Sequence, residues 1–358
     1  MGERISSPSL LTMELFARPD RFLGVDIGSH NLKVVELENN HGRAKLITYG
    51  YSDQVVPPTD PELADQPEVA AVALKQLLKK TKTTSHRVVA ALPVATIFTS
   101  VLVIAKDRFK NDQELKETIQ WEAKKVIPLT LDEMILEHSA LDNDAEEGSA
   151  RFLLTAAPKA LVQKYLEIFK HAGLQLASLE TENFALVRSL VGNDKATVMV
   201  VDLGEITTNI AIIRQGIPVL NKSVDVAGKQ FTEVFAKQLG VEWPVAERFK
   251  RDLMTTGLTT SLTALEPLLQ NLRHEIQYCF GLHRQEHPAG NEQVEKIILT
   301  GGTAALAGMD QYLASQLQLK VFVGDPWARV MYPEELKPAL DAIGSRLAIS
   351  VGLAMREI

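Results

Sequence analysis

The sequence predicts an α/β fold assembled from two related halves, and three observations carry that prediction. An apolar strand closing in Asp-x-Gly occurs twice, as Val25-Asp26-Ile27-Gly28 and Val201-Asp202-Leu203-Gly204, each followed by a return strand, so one hairpin element is used in both halves. A further apolar strand from Lys296 runs into the paired glycines Gly301-Gly302, with a helix at Met309 to Leu317. Between the halves, residues 86–180 read as an α/β unit of their own. A length of 358 residues allows two or three domains.

Each element follows from local pattern. Phe22 to Gly28 and Leu32 to Leu37 read as strands, which places Asp26 to Lys33 in a tight hairpin. A third strand, Ala44 to Tyr51, precedes a Pro-rich loop at Val55 to Pro67 and an amphipathic helix over 68–80 with Val69, Val72, Leu74, Leu77 and Leu78 apolar. Val88 to Ala105 is 18 residues without a charge, near the lower limit for a membrane span. Pro93, Thr96, Thr99 and Ser100 interrupt it, and its β-branched content predicts two buried strands on either side of a kink at Pro93-Val94. Asn111 caps a helix to Val126 with Glu114 in the capping-box position, a face of Leu115, Ile119 and Ala123, and Pro128 as its stop. After a strand at Phe152 to Ala156, a second helix has Pro158 in its first turn, a Leu161, Tyr165 and Phe169 stripe, and Gly173 at its end. Thr197 to Leu203 and Thr207 to Arg214 form the second hairpin. Pro244 begins a helix whose buried face is read as Val245, Phe249 and Leu253.

Composition narrows the function. The chain is 46% hydrophobic and 23% charged, ordinary for a globular protein with sizeable cores. A net charge of −7 without a basic arm argues against a nucleic-acid partner. The single cysteine, Cys279, excludes an intramolecular disulfide framework, suggests a reducing compartment, and lies on an apolar stripe with Leu265, Leu269, Leu272, Ile276 and Phe280. Glu3, Glu14 and Asp20 break any signal-peptide pattern in the first twenty residues, although Met1-Gly2 with Ser6 meets a loose myristoylation pattern. A cytosolic location is expected.

The hairpin tips carry the chemistry. Gly28, Ser29 and Asn31 at one tip, and Gly204, Thr207 and Thr208 at the other, let backbone N–H groups approach an anion. Asp26 and Asp202 at the roots suit Mg²⁺, which takes one or two carboxylates plus phosphate, and Lys33 can neutralise phosphate charge. His30 reads as a tolerated tip residue. The turn before Gly228 opens a helix whose N–H groups can meet an anion. Glu247 and Lys250 share a helix face, and Gly301-Gly302-Thr303 permit close approach of a ring or ribose. The alternative, two structural hairpins with solvated acids, stays open on these residues alone.

Taken in order, these segments resemble the nucleotide site of the actin, DnaK and sugar-kinase superfamily. Asp26 to Lys33 is similar to the first phosphate loop, Asp202 to Thr208 to the second, Gly228 to the connecting turn, Glu247-Arg248-Phe249-Lys250-Arg251 to the adenine-side motif of DnaK, and Gly301-Gly302-Thr303 to the adenosine motif. An insertion between the halves is typical of FtsA and PilM. Glu114-Leu115, Trp121-Glu122-Ala123, Ile127-Pro128, Thr155 to Lys159, Ala172-Gly173-Leu174, Phe184-Ala185-Leu186 and Val351 to Arg356 resemble the PilM family, over roughly residues 22–358.

That resemblance implies a duplicated actin-like ATPase fold with an FtsA/PilM-type 1C insertion. Its divisions would be a tail at 1–20, subdomain 1A at 21–85 with 181–195 and 338–358, 1C at 86–180, 2A at 196–235 with 291–337, and 2B at 236–290. It implies ATP and Mg²⁺, with Asp26 and Asp202 at the metal and Gly28, Ser29, His30, Asn31, Lys33, Gly204, Thr207, Thr208, Gly228, Glu247, Lys250, Gly301, Gly302 and Thr303 around the nucleotide. The implied partners are a PilN-like single-span inner-membrane protein, whose cytoplasmic N-terminal segment sits between 1A and 1C, and other pilus platform proteins and motor ATPases, so membrane contact would be indirect.

The sequence also departs from the superfamily. Glu205 stands where Gly or Ala usually follows the second Asp-x-Gly, and Ala227 replaces a glycine of the connecting turn, so slow hydrolysis is expected. Glu182 is the candidate for orienting the attacking water, with a helix N-terminal carboxylate as the plainer alternative. An FtsA-like division scaffold and a small-molecule kinase remain as other readings.

Overall fold

The computed structural model describes residues 20–52, 61–127, 129–141, 148–256, 262–286 and 293–358. The expectations for the N-terminal segment, for the first part of the Pro-rich loop (55–60) and for Pro128 fall outside the described residues. In chain order the first half contributes β1 (Arg21–Ile27), β2 (Leu32–Asn40), β3 (Arg43–Tyr51), α1 (Pro67–Thr81) and β4 (Arg87–Leu92). Next come β5 (Phe98–Ala105), α2 (Asp112–Val126), β6 (Met134–Leu141), β7 (Ser149–Pro158), α3 (Lys159–Ala172), β8 (Gln175–Thr181) and the short α4 (Glu182–Leu186). The second half contains β9 (Val198–Leu203), β10 (Thr208–Arg214), β11 (Ile217–Val224), α5 (Gly228–Leu239), α6 (Trp243–Thr256), α7 (Glu266–Glu286), β12 (Lys296–Thr300), α8 (Met309–Leu317) and β13 (Lys320–Val323). Strand β14 (Val330–Met331) and α9 (Lys337–Ala354) return to the first half.

The first sheet runs β14-β3-β2-β1-β4-β8 and the second β11-β10-β9-β12-β13. Apart from β14 the two orders correspond strand for strand. Each has two antiparallel pairings on one side of its central strand and two parallel ones on the other. The repeated Asp-x-Gly element is thus the middle of a repeated sheet. Strands buried on both faces read as continuous apolar runs, and β1 and β9 are such strands.

Three of the hydrophobic clusters among the described residues position the cleft. Leu23, Val25 and Leu32 pack beneath α1 and α3 through Leu74, Tyr165 and Phe169. Phe231, Leu269, Leu272, Ile276 and Cys279 cover the second sheet, as the apolar stripe predicts. Val89 and Ala91 of the first sheet share a cluster with Val198, Val200 and Ile298 of the second, closed by Ala348, Ile349 and Leu353 of α9. A Cβ at Gly352 would stand 1.9 Å from the Ala185 carbonyl, so α9 lies on α4 at a separation only glycine allows. Among the described residues no helix is long and apolar enough to cross a membrane.

Several sequence expectations need correction. Strands β4 and β8, within the span read as a separate unit, join the first sheet, and α3 packs with α1. Only β5, β7 and β6 form a sheet of their own, covered by α2 through Ile119 and Ala123. Local pattern identifies a strand but not the partner it chooses. The Pro93 kink is present, as a 3₁₀ turn at Val94–Thr96, but β5 is an edge strand with Val103 exposed rather than a buried one. In α1 the buried stripe is Ala70, Ala71, Leu74 and Leu77, while Val69 and Val72 face out. In α6, Ala246 is buried and Val245 is exposed.

Candidate functional site

The two central hairpins face one another across a cleft of about 530 Å³. Register makes them equivalent: Asp26 stands opposite Lys33 on β1 and β2, and Asp202 opposite Asn209 on β9 and β10. The first tip closes by the Gly28 N–H donating to the Asn31 carbonyl at 2.9 Å, the second by the Gly204 N–H donating to Thr207 at 3.1 Å. Gly28, Ser29, Asn31 and Lys33 line one wall, and Gly204, Glu205 and Thr207 the other. Gly228, Glu247, Lys250 and the Gly301-Gly302-Thr303 turn line the far side.

Carboxylates concentrate on the floor. Asp26 and Asp202 are buried, and Glu182 at the start of α4 lines the same cleft. Burial pushes the Asp202 carboxyl up to about 6, with Lys33 pulling it down and Asp26 raising it further. Burial also pushes Glu182 up to about 8, reinforced by the Asp202 and Asp26 charges against a hydrogen bond from the Val94 N–H at 3.0 Å and the charge of Lys33. Lys33 Nζ is 2.9 Å from Asp26 Oδ2. Among the described residues no three His, Cys, Asp or Glu side chains converge closely enough to hold a metal between them. Two buried oxygen donors, one with an elevated pKa, fit a hard cation such as Mg²⁺ that completes its shell with water or phosphate.

A second polar cluster braces the far side. The buried Lys250 Nζ donates to the Gly228 carbonyl at 2.8 Å and to Thr232 Oγ1 at 2.7 Å, and lies 2.7 Å from Glu247 Oε2. Arg251 Nε donates to Glu247 Oε1 at 2.9 Å. Burial lowers the Lys250 ammonium, with Glu247 opposing. Burial works to raise the Glu247 carboxyl, but the charge and hydrogen bond of Lys250, with bonds from Thr232 and Arg251, hold it below its ordinary value.

Three predicted contributions differ. The N–H groups of Gly228 and Lys229, expected to meet an anion, donate to the carbonyls of Gly204 and Glu205 at 2.9 and 2.8 Å. The start of α5 therefore ties down the second hairpin. Thr208 is buried with its hydroxyl donating to the Val226 carbonyl at 2.5 Å, and does not line the cleft. His30 is likewise buried out of the cleft, with Nδ1 3.1 Å from Glu205 Oε1. Residues the sequence did not single out include Asn209, whose Nδ2 donates to Glu182 Oε2 at 3.3 Å, and Ser345, whose carbonyl accepts from the Gly301 N–H and the Thr300 hydroxyl, both at 3.0 Å. Asn209 follows the Thr207-Thr208 pair and was within reach of the hairpin motif. Ser345 on α9 carries no sequence signal.

Comparison with known proteins extends this geometry. A sequence model of the family described as type IV pilus assembly protein PilM matches residues 24–358. The chain is similar to a solved PilM-PilN type IV pilus biogenesis complex, at 25% identity and a TM-score of 0.79 over 95% of this chain and 99% of that one. It shares its fold with ethanolamine utilization protein EutJ from Carboxydothermus hydrogenoformans, at 15% identity and a TM-score of 0.54 over 95% and 90% of the two chains. Cell division protein FtsA of Staphylococcus epidermidis is 20% identical over 91% of this chain and 79% of its own length. Cell shape-determining protein Mbl of Bacillus cereus is 27% identical over 36% of this chain, and the match spans about half, 47%, of Mbl. The architecture is the duplicated α/β fold of the actin-like ATPases.

Proposed function

The chain belongs to the PilM family of type IV pilus assembly proteins, and from that membership we propose that it binds ATP with Mg²⁺ between its halves and holds a PilN-like membrane protein in a nucleotide-dependent way. The observation that carries the nucleotide reading is the pair Asp26 and Asp202, buried at equivalent places in two hairpins that wall one cleft. In this reading the two carboxylates hold Mg²⁺, which when bound neutralises phosphate charge. Gly28, Ser29, Asn31, Gly204 and Thr207 flank the phosphates, and Gly301 to Thr303 with the Glu247–Lys250 brace flank the nucleoside. Glu182 is the group placed to orient water. Slow turnover belongs to the same reading, because Glu205 and Ala227 stand where the superfamily resemblance implies small residues.

The partner reading rests on the likeness to the PilM-PilN complex. The PilN cytoplasmic segment is proposed to lie between the first sheet and the inserted three-stranded unit, which keeps the chain cytoplasmic and peripheral to the inner membrane through its partners. Calorimetric titration of Mg-ATP into the chain and into Asp26→Ala tests the nucleotide half, with a loss of at least about tenfold expected. Equal affinity would remove Asp26 from the site. A labelled peptide copied from a PilN cytoplasmic N-terminus tests the other half, and binding that ignores Mg-ATP would uncouple the two.

A further inference from the structure

The Glu205 side chain joins the two hairpins. Glu205, at the tip of the second hairpin, places Oε1 3.1 Å from His30 Nδ1 and accepts from Asn31 Nδ2 on Oε2 at 3.1 Å. A carboxylate only accepts, so the imidazole nitrogen in this contact carries the proton. The donors lie 175 and 174 residues away in the other half. His30 is 2% exposed and fixed, whereas the Glu205 side chain is 27% exposed and lines the cleft.

Two details indicate a movable latch rather than a fixed core contact. The Glu205 carbonyl accepts from the Lys229 N–H at 2.8 Å, so α5 anchors the backbone independently of the side chain. Giving its amide N–H to Glu205 leaves Asn31 Oδ1 buried without a hydrogen-bond partner. That orphaned acceptor costs stability. Lys33 of the first hairpin is paired with Asp26, and the cation whose charge acts on Glu205 is Lys250 of the second half.

We infer that Glu205 occupies the place between the hairpins that the terminal phosphoryl of a nucleoside triphosphate needs, and so makes the site discriminate between di- and triphosphate. Carboxylate and phosphoryl oxygens compete for the same kind of N–H donor. Two anions cannot share His30 and Asn31, and Asp26, Asp202 and Glu182 already load the cleft with carboxyl groups. A diphosphate leaves the latch in place. A triphosphate must turn the Glu205 side chain out and join the hairpins itself. The inference rests on the nucleotide reading above, and extends it by naming the residue that sets phosphate number.

The test is calorimetric titration of the full chain, Glu205→Gln and Glu205→Ala with Mg-ADP and with the non-hydrolysable triphosphate analogue Mg-AMPPNP. In the unmodified chain the diphosphate is expected to bind more tightly. In Glu205→Ala the ratio of the two affinities should move about tenfold toward the triphosphate, with a smaller move in Glu205→Gln, which keeps the shape and loses the charge. His30→Gln, which weakens the latch from the other hairpin, should move the ratio in the same direction. If both nucleotides bind and the ratio is the same in all four proteins, Glu205 does not discriminate and the nucleotide reading stands without it. Failure of both nucleotides to bind any of the four overturns the nucleotide reading and this inference together.

Discussion

Lys33 Nζ and Asp26 Oδ2 stand 2.9 Å apart across the first hairpin, so this cation neutralises the hairpin's own acid. Both groups are largely withdrawn from water, at 17% and 5% side-chain exposure. Removing one partner of such a pair leaves an uncompensated charge and costs about 3 kcal/mol. Lys33→Met should therefore lower the thermal midpoint, and Lys33→Met with Asp26→Asn should recover most of the loss. Added Mg²⁺ should restore part of the stability of the single variant and less in the double variant, which keeps only the Asp202 carboxylate of the proposed pair. Melting curves with and without Mg²⁺ check this without any nucleotide.

Glu182 gives a pH-dependent prediction. Its carboxyl rises from an ordinary 4.5 to about 8, through burial first and then the charges of Asp202 and Asp26. Below 4.5 the folded and unfolded chains both hold the proton, so nothing is lost. Between there and about 8 the unfolded chain releases it and the folded chain keeps it, so the native state loses stability as pH rises. Glu182→Gln removes that loss. Its melting temperature should match the unmodified chain near about pH 5 and exceed it at about pH 8.5, by an amount equivalent to roughly 2 kcal/mol or more. A difference that does not change with pH would show that Glu182 titrates normally.

Lys250 is the keystone of the far side, bonded to the Gly228 carbonyl, Thr232 and Glu247 at once. Lys250→Met strips three acceptors of their shared donor and should cost about 3–5 kcal/mol in a denaturant titration. Lys250→Arg should fail to restore it, since a planar guanidinium cannot replace a point-like ammonium among these three partners. Pairing Lys250→Met with Glu247→Met should recover much of the loss, because the buried ammonium and its carboxylate leave together and Arg251, which also bonds Glu247, keeps access to water. Equal stability of the single and double variants would mean that the ion pair is not the brace.

The elements legible in the sequence are those whose pattern is local. Strands β1, β9 and β12 are near-continuous apolar runs closed by glycine turns, and their boundaries come within a residue or two of the prediction. Strands β6, β8, β11, β13 and β14 were not readable. β11 carries Pro218, Asn221, Lys222 and Ser223, and β13 is four residues long and mostly exposed, so the neighbouring ladder makes them strands. In α1 the valines are the larger apolar residues, yet close packing on α3 buries Ala70 and Ala71 instead. At the candidate site, the repeated Asp-x-Gly element singled out Asp26 and Asp202, which are buried in one cleft. The Glu205 contact with His30 depends on how two distant hairpins meet, and the sequence showed Glu205 only as a residue out of pattern.

The adjacent glycines Gly301 and Gly302 should respond differently to the same methyl group. Gly301 has φ of +90°, and a Cβ there would stand 2.5 Å from both Asp202 Oδ1 and the Leu203 carbonyl. Gly302 has nothing within 4 Å of its built Cβ and no positive φ. Gly301→Ala therefore combines an unfavourable backbone region with overpacking, at about 2–4 kcal/mol. Gly302→Ala should leave stability within about 0.5 kcal/mol of the unmodified chain. The displaced atom is a carboxylate oxygen of the proposed metal site, so Gly301→Ala should also weaken the Mg²⁺-dependent part of nucleotide binding beyond its effect without the metal. Melting temperatures for both variants, and calorimetry with and without Mg²⁺, separate the two effects. Equal losses of stability at the two positions would show that the turn after β12 is free to relax and does not hold Asp202 in place.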